Sequence, residues 1–547
     1  MRRNLLPAAG AFLGFVLAVL AWAGPAAAQP PAPAAAAPVT ASPAEVGESL
    51  RRGRQLEIER RWGEAMAHYE EAMRQFPEER SLQRRFDFAR LHCDLTRRYN
   101  DRSYRSLLER LSVSEAVNVY AEVLLKVQAH YVEAPHWKEL VERGTNDLEV
   151  ALTEPAFLEG CRAPYDGRTI DDFRQELRQT VGPRVIQTRN DACDAVSTAA
   201  NLAYQRLGIP PARVVLEYTC GAANTLDPYT TYLTPDQLTE VYSQIEGNFV
   251  GLGVELKTQG DTLLIVRVIA GSPAERSGIR ADERIVAVDG RSTRDVSADR
   301  AANLLQGLAG TMVELTVADA AGQSRQVTVR RERVEVPSVD DAQILDRSLG
   351  VAYLKLSCFQ KTTAHDLDMA LWNLHQSGMR SLIIDLRRNP GGLLVAAVEV
   401  SDRFLDRGVI VSTRGRNAQE DLTYSAHEAG TWHMPLVVLV DQDSASAAEI
   451  FAGAIRDHRR GTIVGKRSYG KGSVQGIFPL NTTGAGVRLT TAKFYSPSGR
   501  PYSGVGVQPD IVVQQVAKPV HGLPAAPAAD PMLAAALQAA QRLTAQR

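Results

Sequence analysis

Several things are scarce or missing in this chain of 547 residues. It has five cysteines, an odd number, and none stands in a CxxC pair. That spacing argues against a zinc site built on cysteines. Any pairing among Cys93, Cys161, Cys193, Cys220 and Cys358 leaves a thiol over, and buried thiols are an equal reading. Neither sign of charge is in excess, with 62 basic against 63 acidic residues and a net charge of -1. This lacks the basic footprint of a nucleic-acid protein and the acidic excess of a disordered one. There is no GxSxG nucleophile elbow and no HExxH zinc motif. His365, His375, His427 and His433 fall in no recognisable motif, and His458 lies about three helical turns beyond Ser446, too far to serve it. Beyond the amino terminus, no run is apolar enough to cross a bilayer.

What is present divides the chain into segments. Residues 1–28 carry Arg2 and Arg3, an apolar run and small residues at Ala26 and Ala28, the pattern of a secretory leader cut after Ala28. An uncleaved membrane anchor is the alternative. The rest of the chain is then exported, with the periplasm the expected compartment. Residues 29–43 form a Pro/Ala linker. Residues 44–100 read as a helical hairpin, with Gly53, Ala65, Tyr69, Ala72 and Pro77 at tetratricopeptide-like offsets. Residues 101–246 stay helical. There Val117, Tyr120, Leu124, Val127 and Tyr131 form an apolar stripe that belongs to a core. Residues 247–336 alternate short β-branched strands with turns, and a helix is expected around Leu304 and Leu305. Residues 337–515 alternate buried strands with helices, as α/β folds do. Residues 516–547 are a second linker and a terminal helix, with Asp530 as its cap and Pro531 at its first position.

The chemistry is concentrated in two stretches. SASAAE, from Ser444 to Glu449, leaves the strand PLVVLVD and opens a helix. Its two hydroxyls are helix caps, or one is a nucleophile. GKGSVQ places Lys471 between two glycines, which let another backbone approach, and places Gln475 four residues on, on the same face of a strand. A neutral lysine can replace histidine as base. That requires a shift of about three units, or roughly 4–5 kcal/mol, which burial without a carboxylate partner supplies. No acidic residue occurs between Arg459 and Asp510.

The motifs also carry a resemblance. GLGV at Gly251–Val254, SPAERSGI and ERIVAVDG resemble a PDZ domain. SASAAE, GKG and the following Gln, with LDPYTTYLT, IIDLRRNPGGLL and FYSPSGRPYSGVGVQPD, resemble the carboxyl-terminal processing peptidases, the tail-specific serine proteases of family S41. The likeness spans about Leu226 to Val513. It implies a multidomain α+β protein: a helical N-terminal region, a β-barrel-like PDZ domain and an α/β Ser-Lys protease core. It implies Ser446 as nucleophile, Lys471 as general base and Gln475 as the lysine's orienting partner. The backbone N–H groups of Ala447 and Gly392 would form the oxyanion hole, and Leu252, Gly253 and Val254 would contact a peptide's C-terminus. Ser444 becomes a structural hydroxyl and Glu449 a helix-start carboxylate. No metal or organic cofactor is implied. The implied partners are protein substrates with free C-termini, and the helical region is a surface for an adaptor or a second copy. Arg388 departs from the family by standing where glycine is common, Ala448 where serine is common, and Tyr469 where phenylalanine is more frequent. Two other readings stay open here: a binding scaffold on a silent core, and a serine hydrolase that uses a histidine.

Overall fold

A computed structural model describes residues 16–17, 43–159, 167–259, 262–294, 305, 307, 309–319, 321–513 and 530–546. The expected leader and both Pro/Ala linkers lie almost wholly outside the described residues, as do Cys161 and Leu304. The chain forms two compact units. One comprises residues 1–239, 339–359 and 367–547, and the other residues 240–338 and 360–366.

The first unit is built on a sheet with the strand order Val339–Asp346, Val351–Leu356, Ser381–Asp385, Leu436–Val440, Thr462–Gly465, Ile511–Val512. All neighbours are parallel except the first pair. Parallel strands covered on both faces read as continuous Val/Ile/Leu runs, as LIID and LVVLV do. Alternate residues divide between two cores. Leu382, Ile384, Val438 and Val440 pack with the helices Leu394–Asp402 and Ala447–Asp457. Ile383, Val437, Leu439 and Val464 face Ala536, Ala539 and Ala540 of the terminal helix Pro531–Ala545. Asp530 caps that helix by accepting from Met532 N and Leu533 N at 3.1 and 3.0 Å.

A second sheet joins Ser473–Pro479, Gly486–Tyr495, Val409–Gly415 and Thr423–Ser425, with Thr231–Leu233 also paired to Gly486–Tyr495. The helical region begins with Pro43–Ile58, Trp62–Gln75 and Arg80–Asn100, packed around Ala65, Tyr69, Leu82 and Phe86. The stripe over residues 117–131 is the buried side of helix Val113–His130, where Tyr120, Leu124 and Val127 are joined by Ala116, Val119 and Val123. A buried ion pair, Arg98 with Glu217 at 2.6 Å, ties two helices together. Among the described residues Cys93, Cys193, Cys220 and Cys358 form no disulfide. No described helix is long and apolar enough to cross a membrane.

The second unit has the strand order Val254–Gln259, Thr262–Val268, Arg284–Val288, Met312–Ala318, Ser324–Arg330. Its small core contains Leu252, Leu263, Ile265, Ile285 and Leu315. Strand Val254–Gln259 is an end strand of this sheet. The whole is a multidomain α+β protein.

Candidate active site

Two turns leave the carboxyl ends of the neighbouring parallel strands Ser381–Asp385 and Leu436–Val440. Open α/β sheets place their sites at such strand ends. The first turn is NPGG. Asn389 is fully buried and holds it: its Nδ2 donates to the Leu356 carbonyl at 2.7 Å, and its Oδ1 accepts from Gly391 N at 2.8 Å. Its own carbonyl accepts from Ala445 N at 2.9 Å, joining the two turns. Gly392 has φ +144°, and a Cβ there would lie 2.0 Å from the Phe359 carbonyl oxygen, so no larger residue fits. Arg388 adopts φ +60°, a conformation that glycine takes without strain, and its N–H donates to Asp441 Oδ1 at 3.0 Å.

The second turn carries both serines. Ser444 Oγ donates to the Leu386 carbonyl at 2.8 Å and accepts from Asp441 N at 2.9 Å, so it stitches the strand ends together. Ser446 sits at φ +57°, ψ -116°. For a residue with a Cβ such a conformation costs on the order of 1–3 kcal/mol, and it persists only where the surroundings impose it. Ser446 is 1% exposed, and its Oγ has no hydrogen-bond partner among the described residues. A Cβ on Gly391 would lie 2.7 Å from Ser446 Cβ and 2.9 Å from Ala447 N, so the glycine turn lies directly against the serine. The N–H groups of Ala447 and Gly392 have no acceptor among the described residues. Ala447 is the first residue of its helix, where such groups favour negative charge. His458 is far away at the helix's other end, with Nε2 2.7 Å from the Val409 carbonyl.

Lys471 lies in the loop before strand Ser473–Pro479. A Cβ on Gly472 would meet Ser503 N at 2.2 Å, so the loop around Tyr502–Gly504 closes over the lysine segment as the flanking glycines suggest. Lys471 is 5% exposed, and its Nζ lies 4.8 Å from the centroid of the Tyr229 ring. Burial, with repulsion from Arg488, pushes its amine down from 10.5 to about 7, against the pull of Asp227 and Glu449. The shift corresponds to about 5 kcal/mol against the ammonium, whereas an aromatic face returns about 0.5–2 kcal/mol to it. Burial therefore wins.

In this conformation Lys471 and Ser446 are not hydrogen-bonded, because the serine hydroxyl has no partner and the amine rests on the ring. The Gln475 side chain is also turned to other groups. Its Nε2 donates to Ser473 Oγ at 2.8 Å, while its Oε1 has no partner among the described residues. The shared-face argument for Lys471 and Gln475 does not hold as stated. The strand begins only at Ser473, and a register shift between Val474 and Gln475 breaks the alternation.

Glu449 has a larger place than a helix-start carboxylate. It is fully buried and accepts four bonds: from Ser446 N (2.8 Å), Lys471 N (2.8 Å), Gly470 N (2.7 Å) and Ser468 Oγ (2.6 Å). One carboxylate thus joins the serine turn to the lysine loop. Burial pushes its carboxyl up to about 7, against the four donors that pull it down. The local signal was an acidic residue at the third position of an otherwise apolar helix, a capping-box place. The N-terminal segment, three helices rather than the expected hairpin, also reaches this region, with Arg74 3.7 Å from Asp443.

In the other unit, Leu252 is 1% exposed and packs inward, while Gly253 has φ +84° against Ser272. The carbonyls of Leu252 and Gly253 accept from Ala274 N and Ile269 N, both at 2.9 Å. Their N–H groups have no acceptor among the described residues. Val254 opens the end strand.

Comparison with known proteins adds the family. The model for peptidase family S41 matches residues 350–513, and a PDZ domain model matches residues 264–319. The carboxy-terminal-processing protease of Bartonella bacilliformis is 36% identical over 319 residues, covering 57% of this chain and 72% of that protein. The carboxyl-terminal-processing protease of Synechocystis is 37% identical over 297 residues, covering 53% of this chain and 69% of its own. A solved structure, the photosystem II D1 C-terminal processing protease, aligns over 73% of this chain and 93% of its own, with 26% identity and a TM-score of 0.38. The chain belongs to peptidase family S41, the carboxyl-terminal-processing serine proteases, and carries a PDZ domain.

Proposed function

We propose that this protein is an exported endopeptidase that cuts proteins near their C-termini with a Ser446–Lys471 dyad. The observation that carries the reading is the placement of Lys471: buried, without a carboxylate ion pair among the described residues, and in a loop fastened through Glu449 to the turn of Ser446, whose hydroxyl has no partner there; burial pushes the amine down to about 7. The reading requires an engaged state in which the lysine side chain turns from the Tyr229 ring and brings Nζ to Ser446 Oγ. The neutral amine then accepts the hydroxyl proton as Oγ attacks the peptide carbonyl carbon. The oxyanion is stabilised by the N–H groups of Ala447 and Gly392. Collapse breaks the C–N bond, and the ammonium returns its proton to the leaving amine. Water then attacks the acyl-enzyme, with Lys471 accepting its proton and passing it to Ser446. Gln475, whose Oε1 has no partner among the described residues, is the candidate to orient the amine in the engaged state.

The PDZ domain supplies the preference for chain ends. Free N–H groups of Leu252 and Gly253 suit a terminal carboxylate, and the end strand from Val254 suits an added peptide strand. A charge-assisted capture of this kind contributes about 1.5–3 kcal/mol, or at least about tenfold. Two peptides identical except for a free or amidated C-terminus test this. The free acid is expected to show at least about tenfold higher kcat/KM. Equal values for the two would remove the PDZ domain from substrate selection.

A further inference from the structure

The stretch from Leu226 to Thr234 takes part in none of the steps above, yet it is tightly fastened. Asp227 forms a turn in which Oδ1 accepts from Tyr229 N at 2.7 Å and Thr230 N at 3.0 Å, and Oδ2 accepts from Thr230 Oγ1 at 2.7 Å. The next residues, Thr231–Leu233, pair with Gly486–Arg488. Arg488 Nε donates to the Tyr229 carbonyl at 3.0 Å, and Arg90 Nη2 donates to the Pro228 carbonyl at 3.0 Å. At the other end of the side chain, the Tyr229 hydroxyl is hydrogen-bonded to Tyr469, two residues before Lys471. Tyr229 is therefore held at its amide, its carbonyl and its hydroxyl, and is only 8% exposed. Its ring face carries Lys471 Nζ.

We propose that Tyr229 is a positioning residue for the general base: its fixed ring face closes the lysine pocket and excludes water, so that Lys471 stays neutral and ready to turn to Ser446. The other groups acting on the amine come from three elements. Arg488, on Gly486–Tyr495, disfavours the ammonium, while Asp227, in the turn, and Glu449, on the catalytic helix, favour it. The two signs oppose one another, so the dryness of the pocket is decisive. A ring can hold back water only if it cannot move aside, and the three anchors provide that. Tyr469 matters here because its hydroxyl reaches Tyr229, a bond that phenylalanine could not make.

The inference rests on the Ser446–Lys471 reading, and the experiment separates the two. The full chain is assayed with one reporter peptide from pH 5.5 to 10, as wild type, Tyr229→Ala, Tyr229→Gln, Tyr229→Phe and Lys471→Met. Activity needs the neutral amine, so kcat/KM rises with pH through the lysine's titration. Admitting water or a polar group stabilises the ammonium and moves this acid limb upward. Tyr229→Ala is expected to shift it by about one unit or more, lowering kcat/KM at pH 7 about tenfold, with recovery near pH 9. Tyr229→Gln fills the space and is expected to shift the limb the same way, so the test survives if Tyr229→Ala fails to fold. Tyr229→Phe keeps the ring but loses the bond to Tyr469, so it is expected to shift the limb in the same direction by clearly less than Tyr229→Gln. An unmoved limb in Tyr229→Gln, a loss without recovery at high pH in a folded variant, or a shift in Tyr229→Phe as large as in Tyr229→Gln would each overturn the inference. Retained activity in Lys471→Met would instead overturn the dyad itself.

Discussion

Replacing Lys471 with methionine is expected to abolish peptide hydrolysis and to raise the melting temperature. On the proposed dyad the activity loss follows from removing the base, since losing one member of a nucleophile–base pair costs on the order of 10⁴-fold or more. The stability gain follows from the sign of the shift. The folded-state amine titrates near 7 rather than 10.5. Between these values the unfolded chain binds more protons than the folded one, so stability rises with pH across the window. At pH 7 and below, the buried lysine therefore opposes folding, by about 5 kcal/mol at most. Methionine fills the same space without an ionisable group. Thermal melts at pH 6.5 should show the variant several degrees above wild type, with the difference fading as pH approaches 10. A variant that melts lower at pH 6.5 would mean that the amine is not destabilising in the fold, and so that burial does not push it below its ordinary value.

Gly392→Ala is expected to lower kcat by about 10²–10³-fold while changing KM little. The reason is steric. The added methyl would stand 2.0 Å from the Phe359 carbonyl oxygen, and φ +144° is poorly open to alanine, so the turn must shift. In the proposed oxyanion hole its N–H would then no longer point where charge develops, an effect confined to the transition state. Steady-state kinetics on a short peptide, with circular dichroism as a check on folding, would show it. A folded Gly392→Ala variant with near wild-type kcat would remove that amide from the oxyanion hole.

The parts of the site readable from the chain are those written within a few residues. SASAAE after a buried strand, NPGG after another, and glycines around Lys471 each encode a local geometry, and each is where its motif suggests. The buried strands of the α/β core were likewise legible in LIID and LVVLV, though not their parallel pairing. What was not readable depends on contacts between distant segments. Glu449 looks like a helix cap until the loop at Ser468–Lys471, about twenty residues on, folds against it. Arg488 and Tyr229 meet across 259 residues of sequence. The relation of Gln475 to Lys471 escaped because a bulge breaks the strand period on which the reading depended. The terminal helix was legible as a helix, but its packing on the sheet was not, since Ala536, Ala539 and Ala540 give only a weak apolar stripe.

The most direct measurement is the titration of the Lys471 amine itself. In the full chain carrying Ser446→Ala, with lysine labelled at the carbon next to the amine, NMR follows the resonance that disappears in the Ser446→Ala, Lys471→Met double variant. The account predicts a midpoint near 7. A midpoint near that of free lysine, about 10.4, while the unaltered protein hydrolyses peptides at pH 7, would contradict it.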